Sequence, residues 1–590
     1  MQYKQGTLLS VIAVLIFIAM AIFGWVKLKY GFNFEDEGMY MVDGWRMTVG
    51  DRLFPDNAIN ASMLYVVFNA FIFKLCPDIT LLEFRELQYT LTLISIIIFG
   101  YAIYRRSQQI WPIPLSMAVF AFTGLDALGN NSNLSYYTYP HLFLILHIAF
   151  LIYALTSQQG QARSFMLIVS GVSLWAIGFS FLPLAAVMIS PILLWLCADH
   201  FNVEEAKFSF KELLLILSPS IILWGCVIAI HGSEFLNALF NIYRYAKENE
   251  GGAMINYISL EYIACAAVFW VTLMIIKSLP MRIRIALAFI FSGLAFVIVD
   301  SNMAGLIHPY WFGWYSSQMW FCAFLITFIV VFFAPLMWQK WSNLSLDAND
   351  GLILTILIPS VVFVLLFSHF SSVGILSTMY AAIPTTMALV LFLIRNFEKR
   401  YLASPHVIFT TAVLILVPFY YHLAWADWKF TFFDLPPEKL TRTISGGFAD
   451  GIKTNKLNVS IMQWMEKTAL KFSSAGEFAI IMDQSPMGYM LINRRPSLNH
   501  SWTGWAHSFS LRQEALEEML KEHRKPKIAY RFLHLPIMWP LSLKEGTYTL
   551  TAKYDYPSDD PISNFVITNM RLTDTYYLNG KPWIEFYVRQ

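Results

Sequence analysis

Residues 7–51 read TLLSVIAVLIFIAMAIFGWVKLKYGFNFEDEGMYMVDGWRMTVGD. The opening run, Leu8 to Val26, carries no charge and is long enough to cross a bilayer core as a helix. It exceeds the apolar core of a secretion signal and no small-residue cleavage site precedes the next segment, so it is expected to stay as a first span. The chain then turns abruptly acidic, and Glu35-Asp36-Glu37 set three adjacent carboxylates just past the membrane surface. Asn33 can cap a helix starting here and Gly50 can end it, which predicts a surface helix over about 33–50. A 3.6-residue repeat puts Asp36, Tyr40, Asp43 and Met47 near one face, with Glu37, Met41 and Trp45 on the next. The bland alternative is that the acids only complement the helix dipole, at roughly 0.3–1 kcal/mol each.

The rest of the 590 residues extends the same theme. With 57% hydrophobic and only 14% charged residues, and a mean hydropathy of +0.53, the chain is no water-soluble globule. Apolar stretches able to cross run at about 7–28, 86–104, 110–125, 139–156, 164–180, 182–197, 212–231, 256–277, 283–299, 317–337, 351–368, 375–395 and 406–424, about thirteen in all. Ser62 to Cys76 is short and carries Asn69 and Lys74, so it reads as a second surface helix. On that choice the short loops holding Arg105, Arg106, Arg163, Lys207, Lys211, Lys277, Arg282, Arg284, Lys340, Arg395, Lys399 and Arg400 all fall on one side, which the positive-inside rule makes cytoplasmic. The N-terminus is then cytoplasmic, and loops 29–85, 126–138, 232–255 and 300–316 lie outside together with everything after the last span. The first outer loop breaks the charge rule with Lys27, Lys29, Arg46, Arg52, Lys74 and Arg85, and a site for an anionic ligand would supply a reason. A net charge of +2 with no basic tract excludes a nucleic-acid surface. The five cysteines sit within or at the edges of apolar runs without metal-like spacing.

The order of these features, a span, then Asp36-Glu37 opening a helix with Tyr40, Trp45-Arg46 and Gly50-Asp51, then a surface helix, then a span ending in Arg105-Arg106, resembles the glycosyltransferase C superfamily. Within it the pattern looks most like the branch of protein O-mannosyltransferases and lipid A aminoarabinose transferases. The resemblance covers about residues 7–430 and is motif-like over the first hundred. It implies an α-helical polytopic fold of about thirteen spans, a polyprenyl-phosphate-linked sugar as donor, and catalysis by the acidic pair of the first outer loop. Asp36 then falls on the catalytic aspartate and Glu37 on its neighbour, while Glu35 could substitute. Chemistry gives its own reason for a carboxylate, since an attacking hydroxyl must lose a proton. The family's second acid, in the next outer loop, falls on Asp126; a polar helix end is the other reading. Substrate contacts are expected from Glu35, Tyr40 and Arg46.

Further out, Arg244 and Lys247 are the only bases in the outer loops between later spans, and suit either the lipid phosphate or anionic headgroups. His308 and Tyr310 stand in an outer loop rich in aromatics that also fits a headgroup-level girdle. No cofactor is demanded; a divalent cation stays open, with His308 a lone candidate ligand lacking a second at fixed spacing. Relatives carry an Arg-Tyr step that corresponds here to Met379-Tyr380, so Arg244, Lys247 or His308 would have to replace the missing arginine. Tyr136, Tyr137, Tyr139 and His141 fit an aromatic belt as well as a sugar platform.

Composition changes after Trp425-Ala426-Asp427-Trp428, and a small α/β domain is expected over 431–590 behind the membrane part, 1–430. Helices are predicted at 458–471 and 510–523, and strands at 477–482, 527–532, 547–554, 565–568 and 583–588. The segment Pro486 to Pro496, with Tyr489 and Arg494-Arg495, resembles a stretch that follows the spans in some of these transferases. The domain shows no nucleophile triad or phosphate loop, so docking on the outer loops or contact with an acceptor is its expected role. The reading favoured is a transferase in the inner membrane moving sugar to a glycan, glycolipid or protein, among membrane lipids. Its rivals are a transporter or flippase, which should show repeated halves and mid-membrane ionisable groups, and a non-catalytic assembly partner.

Overall fold

The computed structural model describes residues 2–57, 62–107, 111–123, 134–158, 160–200, 203–249, 348–370, 381–401, 434–435, 437–482, 485–502, 509–533 and 559–590. It is an α-helical membrane protein with a small α/β domain at its C-terminal end. Among the described residues seven helical stretches are long and apolar enough to cross a membrane. They are α1 (Gln2–Lys27), α4 (Leu81–Ser107), α6 (Thr138–Thr156), α7 (Gln161–Ser180), the pair of a 3-10 helix (Leu182–Ile189) and α8 (Ser190–His200), α9 (Phe210–Asn249) and α10 (Ala348–Phe370). The other helices of this part are α2 (Asp36–Thr48), α3 (Leu64–Leu75), α5 (Pro112–Thr123) and α11 (Ala382–Tyr401), whose apolar part spans only Ala382–Leu391. Expected spans 256–277, 283–299, 317–337 and 406–424 lie outside the described residues.

Local chemistry explains the irregularities. Pro191 withholds the amide that would bond back to Val187, and the chain changes there from a 3-10 to an α path. In α9 the backbone leaves helical geometry at Gly232 (φ 14°, ψ −95°), which kinks that helix before its C-terminal end. Twelve residues make α3, a length of about 18 Å that cannot cross a 30 Å core. Its Val67, Phe68, Phe71 and Leu75 are exposed while Leu64, Tyr65, Val66, Asn69 and Phe73 are buried, the division expected of a helix lying along an interface.

Pairings sort the molecule into two ends. Met63 N bonds Phe179 O, Phe54 packs on Phe235, and Tyr137 on Phe367, so the ends of α7, α9 and α10 gather around α2 and α3. At the opposite end Arg163 pairs with Glu212 and Lys207 with Glu204, and the Arg105 guanidinium lies over the Tyr153 ring. Arg105, Arg163 and Lys207, three of the basic residues that define the predicted cytoplasmic side, thus share one end.

The C-terminal domain has a five-stranded mixed sheet in the order β4 (Arg495–Pro496), β3 (Phe478–Ile481), β5 (Ile528–Phe532), β7 (Lys581–Arg589), β6 (Met570–Leu578). β4, β3 and β5 run parallel, and β7 is antiparallel to both neighbours. Helices α12 (Lys456–Phe472), α13 (Met487–Ile492), α14 (Phe509–Lys521) and α15 (Pro561–Asn569) cover it, and a two-residue ladder joins β1 (Arg442–Thr443) to β2 (Lys453–Thr454). Three of the expected strands and both expected helices are present, while 547–554 lies outside the described residues. Residues 565–568 are helical instead. Asp560 accepts a hydrogen bond from Ser563 N at 2.7 Å and Pro561 follows it, a cap and a first-turn proline that start a helix before strand pairing can begin.

Candidate active site

Three carboxylates enter α2, and the structure gives them different surroundings. The helix begins at Asp36 rather than near Asn33, because the Asn33 side chain caps the approach, accepting from Glu35 N at 2.7 Å. Glu35 is buried at the start of α2. Asp36 supplies the first helical residue; the surroundings of its side chain lie outside the described residues. Glu37 is fully buried, with Oε1 and Oε2 each 2.7 Å from the Arg85 guanidinium of α4. That guanidinium also donates to Leu28 O at 2.7 Å and Gly31 O at 3.1 Å, so it fixes both the end of α1 and the turn into α2. Both Glu37 oxygens are thus held by a single guanidinium. Among the described residues no three His, Cys, Asp or Glu side chains gather as metal ligands.

One face of α2 meets tyrosines. Tyr40 packs edge-on against Tyr65 of α3 at 5.6 Å and against Tyr136 at 5.3 Å. Tyr136 in turn lies 4.2 Å from Tyr137 and stacks on Phe181. Asn69 of α3 ties this group together, donating to Tyr40 O at 3.1 Å and to Leu134 O at 2.9 Å. The half-buried Tyr136 and Tyr137 thus stand beside the helix that Asp36 opens, which joins the segment before α6 to the one after α1. Asp43, one turn beyond Tyr40, accepts from Tyr65 Oη and from Ser501 Oγ, both at 2.7 Å. Burial raises the Asp43 carboxyl above its ordinary range; the Tyr65 bond, the Arg46 charge and the Ser501 bond pull the other way.

The opposite side of α2 meets the C-terminal domain. Arg46, expected to touch substrate, is fully buried; its Nε lies 2.7 Å from Asp51 and its Nη2 donates to Leu498 O at 2.8 Å. Arg495 and Arg524 also reach Asp51, at 2.9 and 3.5 Å. Burial alone would raise the Asp51 carboxyl, but the charge and hydrogen bond of Arg46, with Arg524 and Arg495, hold it below the ordinary carboxylate range. Ahead of α2, Phe32 N donates to Asp434 at 3.1 Å, Phe34 O accepts from Met487 N at 3.0 Å, and Tyr30 bridges Lys453. Asp434 further accepts from Leu435 N, the Thr454 hydroxyl and the amides of Asn455 and Asn458. The segment 486–496 is structural: the Tyr489 hydroxyl accepts from Ile481 N at 2.8 Å, burial pushes that phenol up to about 12, and Arg494 bonds to Ile492 O and the Ser473 hydroxyl.

No family model matches the chain, and no curated protein matches it. Among solved structures it is similar to ArnT from Cupriavidus metallidurans bound to undecaprenyl phosphate, at 10% identity and a TM-score of 0.44 over 97% of each chain. It is also similar to the oligosaccharyltransferase AglB from Archaeoglobus fulgidus in complex with an inhibitory peptide and a dolichol-phosphate, at 11% identity and a TM-score of 0.42 over 90% of this chain and 70% of that one.

The structure brings Glu35, Asp36, Glu37, Tyr40 and Arg46 to one short helix and its entry turn, with different partners for Glu37, Tyr40 and Arg46. Arg244 and Lys247 lie on the C-terminal end of α9, beyond the Gly232 break; their side chains, and all of Asp126, His308 and Tyr310, lie outside the described residues. Arg85, Asp434 and Ser501 were not singled out as site residues from the sequence. Only Asp43 carried a legible sign, its place on the face of Asp36 and Tyr40.

Proposed function

We propose that this protein is a membrane glycosyltransferase that moves a sugar from a polyprenyl-phosphate donor to an extracytoplasmic acceptor, a glycan, a glycolipid or a protein. The observation that carries this reading is the lodging of α2. A helix whose first residue is Asp36 is wedged between an interfacial helix, a group of tyrosines and a docked domain, at the end of the molecule opposite its basic loops. A carboxylate in that place can serve a substrate held in the bilayer by its lipid.

In the reaction the acceptor hydroxyl attacks the anomeric carbon and its proton passes to Asp36. The bond from that carbon to the phosphate oxygen breaks, and the lipid phosphate leaves with the electron pair. A single displacement of this kind inverts the anomeric configuration. No nucleotide site is needed, because the lipid phosphate is already the activated leaving group. Arg244 and Lys247, or His308, would offset the charge that grows on it. Glu37 acts through Arg85 as a positioning residue, and the half-buried Tyr136 and Tyr137, held by the buried Tyr40, offer aromatic faces to a sugar ring. Orientation in an inner membrane, with the N-terminus cytoplasmic, follows from the charge asymmetry of the loops.

The test is incubation of purified protein with labelled polyprenyl-phosphate sugars, scoring released lipid phosphate. Asp36→Asn is expected to abolish release by at least about 10³-fold while the thermal unfolding profile is kept. Full activity in that variant removes the assignment, and lipid movement without cleavage identifies a flippase instead.

A further inference from the structure

Asp43 is buried, and neither of its hydrogen-bonding partners belongs to its own helix. One oxygen takes the hydroxyl of Tyr65 on α3, and the other takes the hydroxyl of Ser501, which lies 458 positions further along the chain in the C-terminal domain. Ser501 is itself 2% exposed, so this is a dry joint rather than a surface contact. A carboxylate bonded in this way ties three elements at one point: the helix that Asp36 opens, the interfacial helix beneath it and the domain above it. Asp43 stands seven residues, two helical turns, after Asp36. A rotation or tilt of α2 allowed by loosening the joint would therefore be felt at Asp36.

From this placement we infer that Asp43 is a positioning residue, and that its bond to Ser501 makes the C-terminal domain part of the machinery that aims Asp36. The inference rests on the transferase reading for its kinetic consequences. Its structural half, that the Ser501 joint holds α2 still, stands independently. The joint needs an acceptor between two hydroxyls and does not need a charge. An amide at position 43 can accept from one hydroxyl and donate to the other once that hydroxyl rotates, since a hydroxyl serves in either role.

Three single variants of the full-length protein in detergent test this: Ser501→Ala, Asp43→Asn and Asp43→Ala. Hydrogen exchange of peptides covering 36–48 reads the joint without any substrate. Ser501→Ala and Asp43→Ala are expected to speed exchange across α2, and Asp43→Asn to leave it near the parent. With a labelled polyprenyl-phosphate sugar as probe, Ser501→Ala should lower kcat on the order of 10- to 100-fold with little change in KM for the donor, the mark of misplacement rather than lost binding. Asp43→Asn should keep kcat within about threefold, since the positioned geometry survives. Unchanged exchange in Ser501→Ala overturns the inference whether or not the protein transfers sugar. So does an Asp43→Asn variant as inactive as Asp36→Asn, because the charge at 43 would then belong to the chemistry. Should the parent protein transfer no sugar, the transferase reading fails, and the exchange data alone decide the joint.

Discussion

At Glu37 and Arg85 two opposite charges lie entirely out of water, joined by two hydrogen bonds of 2.7 Å. Such a pair adds little by existing, because desolvation offsets its attraction, yet removing one partner strands the other. Arg85→Ala is therefore expected to destabilise the protein by about 3–5 kcal/mol, read as a lowered midpoint of thermal or denaturant unfolding in detergent. The double variant Glu37→Gln with Arg85→Gln should recover part of that loss, since no bare charge remains. The pair also marks a limit of reading from sequence. A carboxylate beside Asp36 looks the same whether it faces a ligand or a guanidinium 48 positions away, and only the fold decides. Arg85 stood in the sequence as one of several bases in a translocated loop that asked for an anionic ligand; that base is neutralised internally by Glu37.

Helix α2 is pressed from two sides, and its glycines record the pressure. A Cβ on Gly38 would come within 2.2 Å of Met487 N in α13, and one on Gly44 within 2.4 Å of Asn69 Cβ in α3. Neither neighbour is the free end of a flexible chain, so the helices themselves must part. Gly38→Ala is expected to loosen the C-terminal domain, seen as faster proteolysis between the domain and the membrane part, at about 1–3 kcal/mol. Gly44→Ala should cost a similar amount, about 1–3 kcal/mol, but appear as a lower unfolding temperature of the whole, because it parts α2 from α3. The existence of these two surface helices was legible, since a charged turn after a span and a short apolar run with Asn69 carry their own periodicity. Their ends were less so: Asn33 caps a turn, not the helix, and α2 starts at Asp36. In the soluble domain the reading placed a strand where Asp560 and Pro561 start a helix, and it passed over β6. That strand did have a local mark. Asn579 and Gly580, both at positive φ, make the tight turn between β6 and β7, and an Asn-Gly pair is what such a turn selects.

Across the whole molecule, the seam between the membrane part and the domain is electrostatic as well as apolar. Asp51 sits among Arg46, Arg495 and Arg524, and Asp56 pairs with Arg524 at 2.7 Å. Because Asp51 is held below its ordinary 3.8, its contribution is fully present above that value and is lost as pH falls through the lower value of the folded state. Asp43 and Asp434 run the other way. Burial raises both, so their protonation does not add to the loss in acid. Domain docking, followed by proteolysis across a pH series, should weaken as pH drops below about 4 in the parent protein. Asp51→Asn should be weaker already near neutral pH and show a shallower acid limb. Docking of the domain on the outer loops was an expectation of the sequence, but the pairs that make the seam were not readable, because the sequence distances across it, 444 positions from Asp51 to Arg495, are too long for any periodicity to register.

Those distances carry one more consequence. Leu498 and Ser501 emerge from the ribosome 452 and 458 residues after the helix positions they grip. During translation α2 must wait, its upper side bare, while every later span is threaded into the bilayer. A ribosome that halts before Asp434 would release a chain in which α2 lacks every contact that the C-terminal domain makes with it.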